Sequence, residues 1–199
     1  MKGCKYLLIL PVILGILTAG CASKVPYTVK KDYENNTARM IAVLPVDNRG
    51  QDIIAAHLLR SKVLDELYFK GYTKLPLEVV DSKLKALYST DGKVRAGRIA
   101  PAAVKELVGA DAVMYCTLTE GDRKVSLFYA PVTMAAQCEL RSTNTGEVLW
   151  NAQYRSTIRS FDFTNKRLEM KSREAVETVI EEVVNKVLET LPDGPNLRG

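Results

Sequence analysis

Four cysteines and a single histidine are the side chains with the most chemistry to offer near neutral pH in this chain of 199 residues. Their spacing removes the common uses. Cys4, Cys21, Cys116 and Cys138 form no Cys-x-x-Cys pair and match no zinc-ligand pattern. The histidine, His57, lies in a run of helical periodicity and reads as a packing or surface residue. No Gly-x-Ser-x-Gly elbow, glycine-rich phosphate loop or His-Glu-x-x-His is present. Carboxylate pairs such as Glu181-Glu182 fall on the polar side of a helical stripe, where solvated charge is the ordinary explanation. The expectation is a protein that is not an enzyme, with no catalytic residue, no metal site and no soluble cofactor.

Cys21 has a setting of its own. Met1-Lys2-Gly3-Cys4-Lys5 is short and basic, Tyr6 to Leu17 is apolar, and Thr18-Ala19-Gly20 are small, which is the order of a secretory signal. Leu17-Thr18-Ala19-Gly20-Cys21 resembles the lipobox that lipoprotein signal peptidase cuts, here between Gly20 and Cys21. It departs from the usual lipobox in one place: Thr18 stands three residues before the cysteine, where leucine is typical, and Leu17 is one further back. The chemistry needs cysteine because a thiolate can take a diacylglycerol as a stable thioether, after which the new α-amino group can accept an N-acyl chain such as palmitate. Each buried methylene contributes about 0.8 kcal/mol, so two or three long chains on Cys21 make attachment effectively permanent. The competing reading is a retained anchor helix. The uncharged run from Tyr6 to Ser23 barely reaches the roughly 17 to 25 residues a span needs, and Pro11 and Gly15 interrupt it. Ala22 and Ser23 follow the cysteine where an aspartate would mark inner-membrane retention, so the expected address is the outer membrane, facing the periplasm.

Cys116 and Cys138 both fall in apolar, strand-like stretches, and in an antiparallel pairing centred near Leu127 they would lie opposite each other. Either a disulfide, favoured by an oxidising compartment, or two buried thiols fits that placement. The chain carries a formal net charge of +5, which falls to about +3 once Lys2 and Lys5 leave with the signal. That mild excess lacks the clustered basic stripe of a nucleic-acid-binding protein, so nucleic acid is not an expected partner.

The elements that must carry these residues are legible from periodicity. Residues 22–38 are polar and read as a flexible tether. Met40 to Val46 is a continuous apolar run of strand length, as in a strand covered on both faces, ended by the turn cluster Asp47-Asn48-Arg49-Gly50. Ile53, Ile54, His57, Leu58, Val63, Leu64, Leu67 and Tyr68 follow helical spacing, with Gly71 as the stop. Tyr72 to Leu77 reads as a short strand broken by Pro76, Val79 to Tyr88 as a helix, Ser89 to Gly97 as a loop, and Pro101 opens a helix through Leu107. Ala112 to Thr119 is another apolar strand. From Val132 the period is two: Val132, Met134, Ala136, Cys138 and Leu140 point one way. Asn144-Thr145-Gly146-Glu147 makes a hairpin turn into a strand from Val148 to about Ile158. A closing helix carries a stripe from Val176 to Leu191 that reads as a core face, with Pro192 and Gly194 ending it. The expected class is α/β (α+β): a mixed sheet with an antiparallel hairpin, flanked by helices. The expected layout is a signal peptide over 1–20, a lipidated tether over 21–38, one domain over 39–191 and a loose tail over 192–199.

Met40 to Val46 with Asp47-Asn48, Gly71-Tyr72 with Leu75-Pro76, Lys105 to Tyr115, and Thr145-Gly146-Glu147-Val148-Leu149-Trp150 occur in this order in a family of small bacterial lipoproteins known only as a domain of unknown function. The chain resembles that family from the lipobox to about Ile158. The resemblance implies a fold similar to the amino-terminal domain of TolB, the periplasmic part of CsgG, and LpoB, of the anticodon-binding type. It also implies work by binding envelope proteins, with a CsgG-like lipoprotein as one candidate partner and a second copy of the chain as another. It carries no catalytic or ligand residues. The leading expectation is therefore a lipid-anchored, non-catalytic protein-binding subunit or accessory factor of an outer-membrane or secretion-type assembly. The loop Asp47-Asn48-Arg49-Gly50, with the segment Asp91 to Ile99, is its candidate contact surface. Two alternatives stand beside it. A CsgG-like pore would use Val125 to Leu140 as a spanning hairpin, with Phe128 and Tyr129 as interfacial aromatics and Pro131 as an interruption. An LpoB-like regulator of a peptidoglycan synthase would need a longer tether than this chain has.

Overall fold

The computed structural model describes residues 24–33, 38–87 and 99–197. Gly20 and Cys21, and the segment from Asp91 to Arg98 of the candidate contact surface, lie outside the described residues.

The architecture is α+β: one six-stranded sheet with helices on both faces. The strands are β1 (Tyr27–Val29), β2 (Ile41–Val43), β3 (Asp47–Asn48), β4 (Ala112–Arg123), β5 (Tyr129–Ser142) and β6 (Val148–Phe161). Their order is β1-β6-β5-β4-β2, with β3 also on β4. The helices are α1 (Ile53–Phe69), α2 (Leu77–Leu84), α3 (Pro101–Val108) and α4 (Asn165–Glu189).

The unbroken apolar run through β2 has its reason in two cores. Ile41 and Val43 join the large core under α1 and α4, whereas Ala42 and Leu44 join a smaller one with Leu75, Val80, Leu84 and Val104 from the other face. β2 runs parallel to β4, Ile41 opposite Ala112, and Asp111 pins its start by accepting the Arg39 and Met40 N–H groups, each at 3.0 Å. The period-two residues of β5, Val132 to Leu140, are all buried against the same large core. Every residue of the α4 stripe, Val176 to Leu188, is buried with them, as is Leu191. Among the described residues no helix is long and apolar enough to cross a membrane.

Several expectations need correction. The segment Asp47-Asn48 is not a free turn but the short strand β3, parallel to Thr117-Leu118, and Arg49 and Gly50 both donate to the Leu118 carbonyl at 3.0 Å. In α1 the buried face is Ala55, Leu59, Arg60, Val63, Leu64 and Leu67, while Ile53, Ile54, His57 and Tyr68 are exposed. The face turns because Arg60 satisfies its buried charge: its guanidinium donates to the Val43 carbonyl at 2.9 and 3.2 Å and to both Asp81 oxygens at 2.7 and 2.8 Å. Tyr72 to Leu77 forms no strand beyond a Thr73 bridge to Met40, since α2 begins at Leu77 with the Pro76 carbonyl accepting from Val79 and Val80. Pro131 does not interrupt β5 but sits within it opposite Arg159.

The two ends of the chain are tighter than their sequence suggests. β1 adds to the sheet edge antiparallel to β6, and Tyr33 is buried with its hydroxyl 2.6 Å from that of Tyr72. Within the stretch read as a flexible tether, Tyr27–Val29 is therefore paired strand and Tyr33 is buried. Beyond α4, Gly194 donates to the Lys70 carbonyl at 2.6 Å, and a Cβ on Gly194 would meet the Gly71 carbonyl carbon at 2.6 Å, so only glycine allows this approach. The segment read as a loose tail is thus docked as far as Leu197. Gly71 itself ends α1 at φ +85°, the left-handed conformation that glycine adopts without a Cβ penalty.

Candidate functional site

Cys116 and Cys138 are ladder partners on β4 and β5, as an antiparallel pairing about Leu127 requires. Their Cα atoms are 4.2 Å apart, and the sulfurs are drawn as a disulfide within the large core. The sequence left disulfide and thiols open. Intact mass is expected to rise by two hydrogens on reduction of the unfolded chain, and alanine at both positions to lower stability by about 2 to 4 kcal/mol, as closing a loop of this size predicts. An unchanged mass after reduction would assign two free thiols instead.

The β3 corner gathers more than the expected loop residues. Asp47 pairs with Arg49 at 3.1 Å, and the Arg49 side chain is 65% exposed. Behind it lies a cavity of about 230 Å³ lined by Pro45, Val46, Asn48, Ile53, His57 and Arg60. The Asn48 Oδ1 is buried there without a hydrogen-bond partner. Sequence reasoning had placed His57 as a packing or surface residue; the structure leaves it exposed at the rim of this cavity.

Beyond α2 and α3, the sheet face away from α1 and α4 carries a second polar surface. Thr117, Gln137 and Gln153 stand side by side across β4, β5 and β6, with Asn151 opposite Glu139. At one end a cavity of about 320 Å³ is lined by Ile99, Pro101, Tyr115, Gln137, Glu139 and Arg141. The Tyr115 hydroxyl donates to the Ile99 carbonyl at 2.6 Å, and burial pushes its pKa up to about 12. It is held as a neutral hydrogen-bond donor, not as a base or nucleophile. At the other end Arg155 grips Glu120 through two bonds of 2.7 and 3.0 Å, and this pairing first of all holds the Glu120 carboxyl below its ordinary range. Among the described residues no group of three His, Cys, Asp or Glu side chains is placed to hold a metal ion. Amides, hydroxyls and paired charges on a flat sheet offer hydrogen bonds for recognition rather than a proton-transfer relay.

Past β6, Asp162 accepts from the Thr164 N–H at 3.1 Å and from Lys171 at 2.9 Å, fixing the start of α4. The Lys171 bond leads in holding its pKa down to about 2.

Residues 27–195 match the family described as "Putative lipoprotein GNA1162-like". The chain belongs to this family. The match begins at Tyr27, the first residue of β1, in keeping with a strand where a tether was expected. A GNA1162-like relative, "Putative lipoprotein NMB1124/NMB1162" of Neisseria meningitidis serogroup B, is 26% identical over 147 residues, covering 71% of this chain and 67% of the relative. The crystal structure of lipoprotein GNA1162 from Neisseria meningitidis is 24% identical, with a TM-score of 0.51 over 70% of this chain and 96% of that one. A PelC dodecamer subunit from Paraburkholderia phytofirmans is 20% identical, with a TM-score of 0.54 over 83% of this chain and 96% of its own. At these identities the two structures establish the shared fold.

Proposed function

We propose that this GNA1162-like protein is a lipid-anchored, non-catalytic binding subunit of a cell-envelope assembly, held in the outer membrane by acyl chains on Cys21 and facing the periplasm. The observation that carries this reading is the position of Cys21, at the end of a lipobox and six residues before Tyr27, the first residue of β1. Six residues can span at most about 20 Å, so the acyl chains hold the domain close to the membrane. That reach favours a partner in the same membrane over an enzyme across the wall layer, as an LpoB-like role would require. A spanning hairpin is disfavoured too, because the apolar face of β5 is already covered by α4.

The recognition surfaces are the Asp47, Asn48 and Arg49 corner and the polar sheet face around Gln137. The partner is another envelope protein, a CsgG-like lipoprotein or a second copy of this chain. Photo-cross-linking from position 49 in intact cells is expected to capture one protein in stoichiometric yield, either a distinct envelope component or the chain itself. Absence of any stoichiometric adduct from position 49 and from position 137 would contradict a binding role for these surfaces.

A further inference from the structure

The end of the molecule formed by the β4-β5 turn and the β6-α4 turn is apolar where a solvated tip would be polar. Leu127 is 72% exposed, Phe128 51%, Phe161 64% and Phe163 91%. The rings are gathered rather than scattered: Phe128 and Phe163 meet edge to face at 6.1 Å between centroids, and Tyr129 and Phe161 pack at 5.0 Å. A contiguous exposed apolar cluster on a folded domain marks an interaction site. Its surroundings are basic. Residues 122–131 and 159–171 hold six basic residues against three acidic ones, Asp122, Asp162 and Glu169. Arg123, Lys124 and Lys171 pair with Asp52, Asp122 and Asp162, which leaves Arg159, Lys166 and Arg167 as the cations available to anionic headgroups.

The path of the chain says what meets this tip. β1 is antiparallel to β6, with Val29 opposite Trp150 and Tyr27 opposite Ala152, so the chain followed backwards runs towards Phe161. Lys24 lines a cavity with Arg155, six residues short of Phe161. Six strand residues cover about 20 Å, and the three-residue step between Lys24 and Cys21 can span at most about 10 Å. An anchor at Cys21 therefore holds Lys24 within about 10 Å of the headgroup layer, and the tip, on the side of the domain to which the chain leads, lies within reach of the depth of about 5 to 10 Å at which interfacial apolar side chains bury. Aromatic rings beside basic side chains suit that layer: the rings enter the acyl boundary and the cations stay with anionic headgroups.

We propose that this aromatic and basic tip docks on the anionic bilayer surface that holds the Cys21 acyl chains, fixing the orientation of the domain as well as its distance. The inference rests on the lipid-anchored reading above. Docking at the tip turns the sheet edge that carries β1 into a strut on the membrane, with the Tyr115 cavity and the C-terminal end of α1 directed away from it.

The test uses the full lipidated chain in vesicles of phosphatidylethanolamine and phosphatidylglycerol with brominated acyl chains. Phe163→Trp places an indole in the tip, Phe69→Trp places one on the exposed C-terminal end of α1, and the native Trp150 is buried and serves as the reference. The Phe163→Trp emission is expected to shift to the blue and to lose most of its intensity to the bromines, while Phe69→Trp keeps its intensity. Adding Leu127→Asp to Phe163→Trp is expected to restore the emission. Equal behaviour of the two indoles on protein that floats with the vesicles overturns the docked tip alone. Protein that fails to float overturns the anchor on which it rests.

Discussion

Trp150→Ala is expected to lower the unfolding free energy by about 3 to 5 kcal/mol, the range for removing a large aromatic side chain from a packed core. Trp150 is fully buried, opposite Leu140 on β5 and Val29 on β1, and its Nε1–H donates to the Thr190 hydroxyl at 3.1 Å just past α4. One side chain therefore ties the edge strand, the hairpin and the end of the last helix together. In a domain whose whole stability is about 5 to 15 kcal/mol, this loss takes about a fifth or more. The melting temperature is expected to fall by about 6 to 20 °C, at about 2 to 4 °C per kcal/mol for a domain of this size. Trp150→Phe keeps a ring in the site while losing the hydrogen bond and some volume, and it is expected to cost less. A Trp150→Ala variant that melts with the parent protein would mean that β1 and the end of α4 do not converge on this residue.

What the sequence revealed follows its length scales. The period of two in β5 and the continuous run in β2 are long enough to state which faces are covered, and both were legible. Gly71 marks the stop of α1 and Gly146 the hairpin turn because each adopts a positive φ, a requirement that shows as residue type. The Cys116 and Cys138 register was legible because the two residues lie symmetrically about a turn. What was missed depends on partners distant in sequence. Arg60 turns the buried face of α1 only because Val43 and Asp81 accept its charge. β1 is three residues long, too short to show a period, and it is strand only because β6 offers an edge. Gly194 closes on Gly71 without any local signal. Of the tip, Phe128 and Tyr129 drew notice as interfacial aromatics, but Phe161 and Phe163 joined them only when β6 proved to run past Ile158.

The corner at Asp47, Asn48 and Arg49 shows the same division. Its charge and polarity were visible in the chain, whereas its pairing with β4 and the cavity it shares with His57 and Arg60 were not. A surface built on a paired strand is more rigid than a free turn, so less conformational entropy is lost when a partner orders against it.

The largest all-or-none effect belongs to Cys21. In the proposed reading, two or three acyl chains on Cys21, at about 0.8 kcal/mol per buried methylene, would hold the protein far more firmly than any contact of the folded domain with a membrane surface. Without the thiol no thioether can form, and in the proposed reading cleavage at Gly20-Cys21 depends on it. Cys21→Ser is therefore expected to accumulate as the uncleaved chain with no acyl mass and to leave the mature form undetectable. The most direct measurement is the intact mass of the protein extracted from membranes. The account predicts a chain that begins at Cys21 and carries a diacylglyceryl group with an N-acyl chain. A chain that still begins at Met1, or one that begins elsewhere without acyl mass, would contradict it.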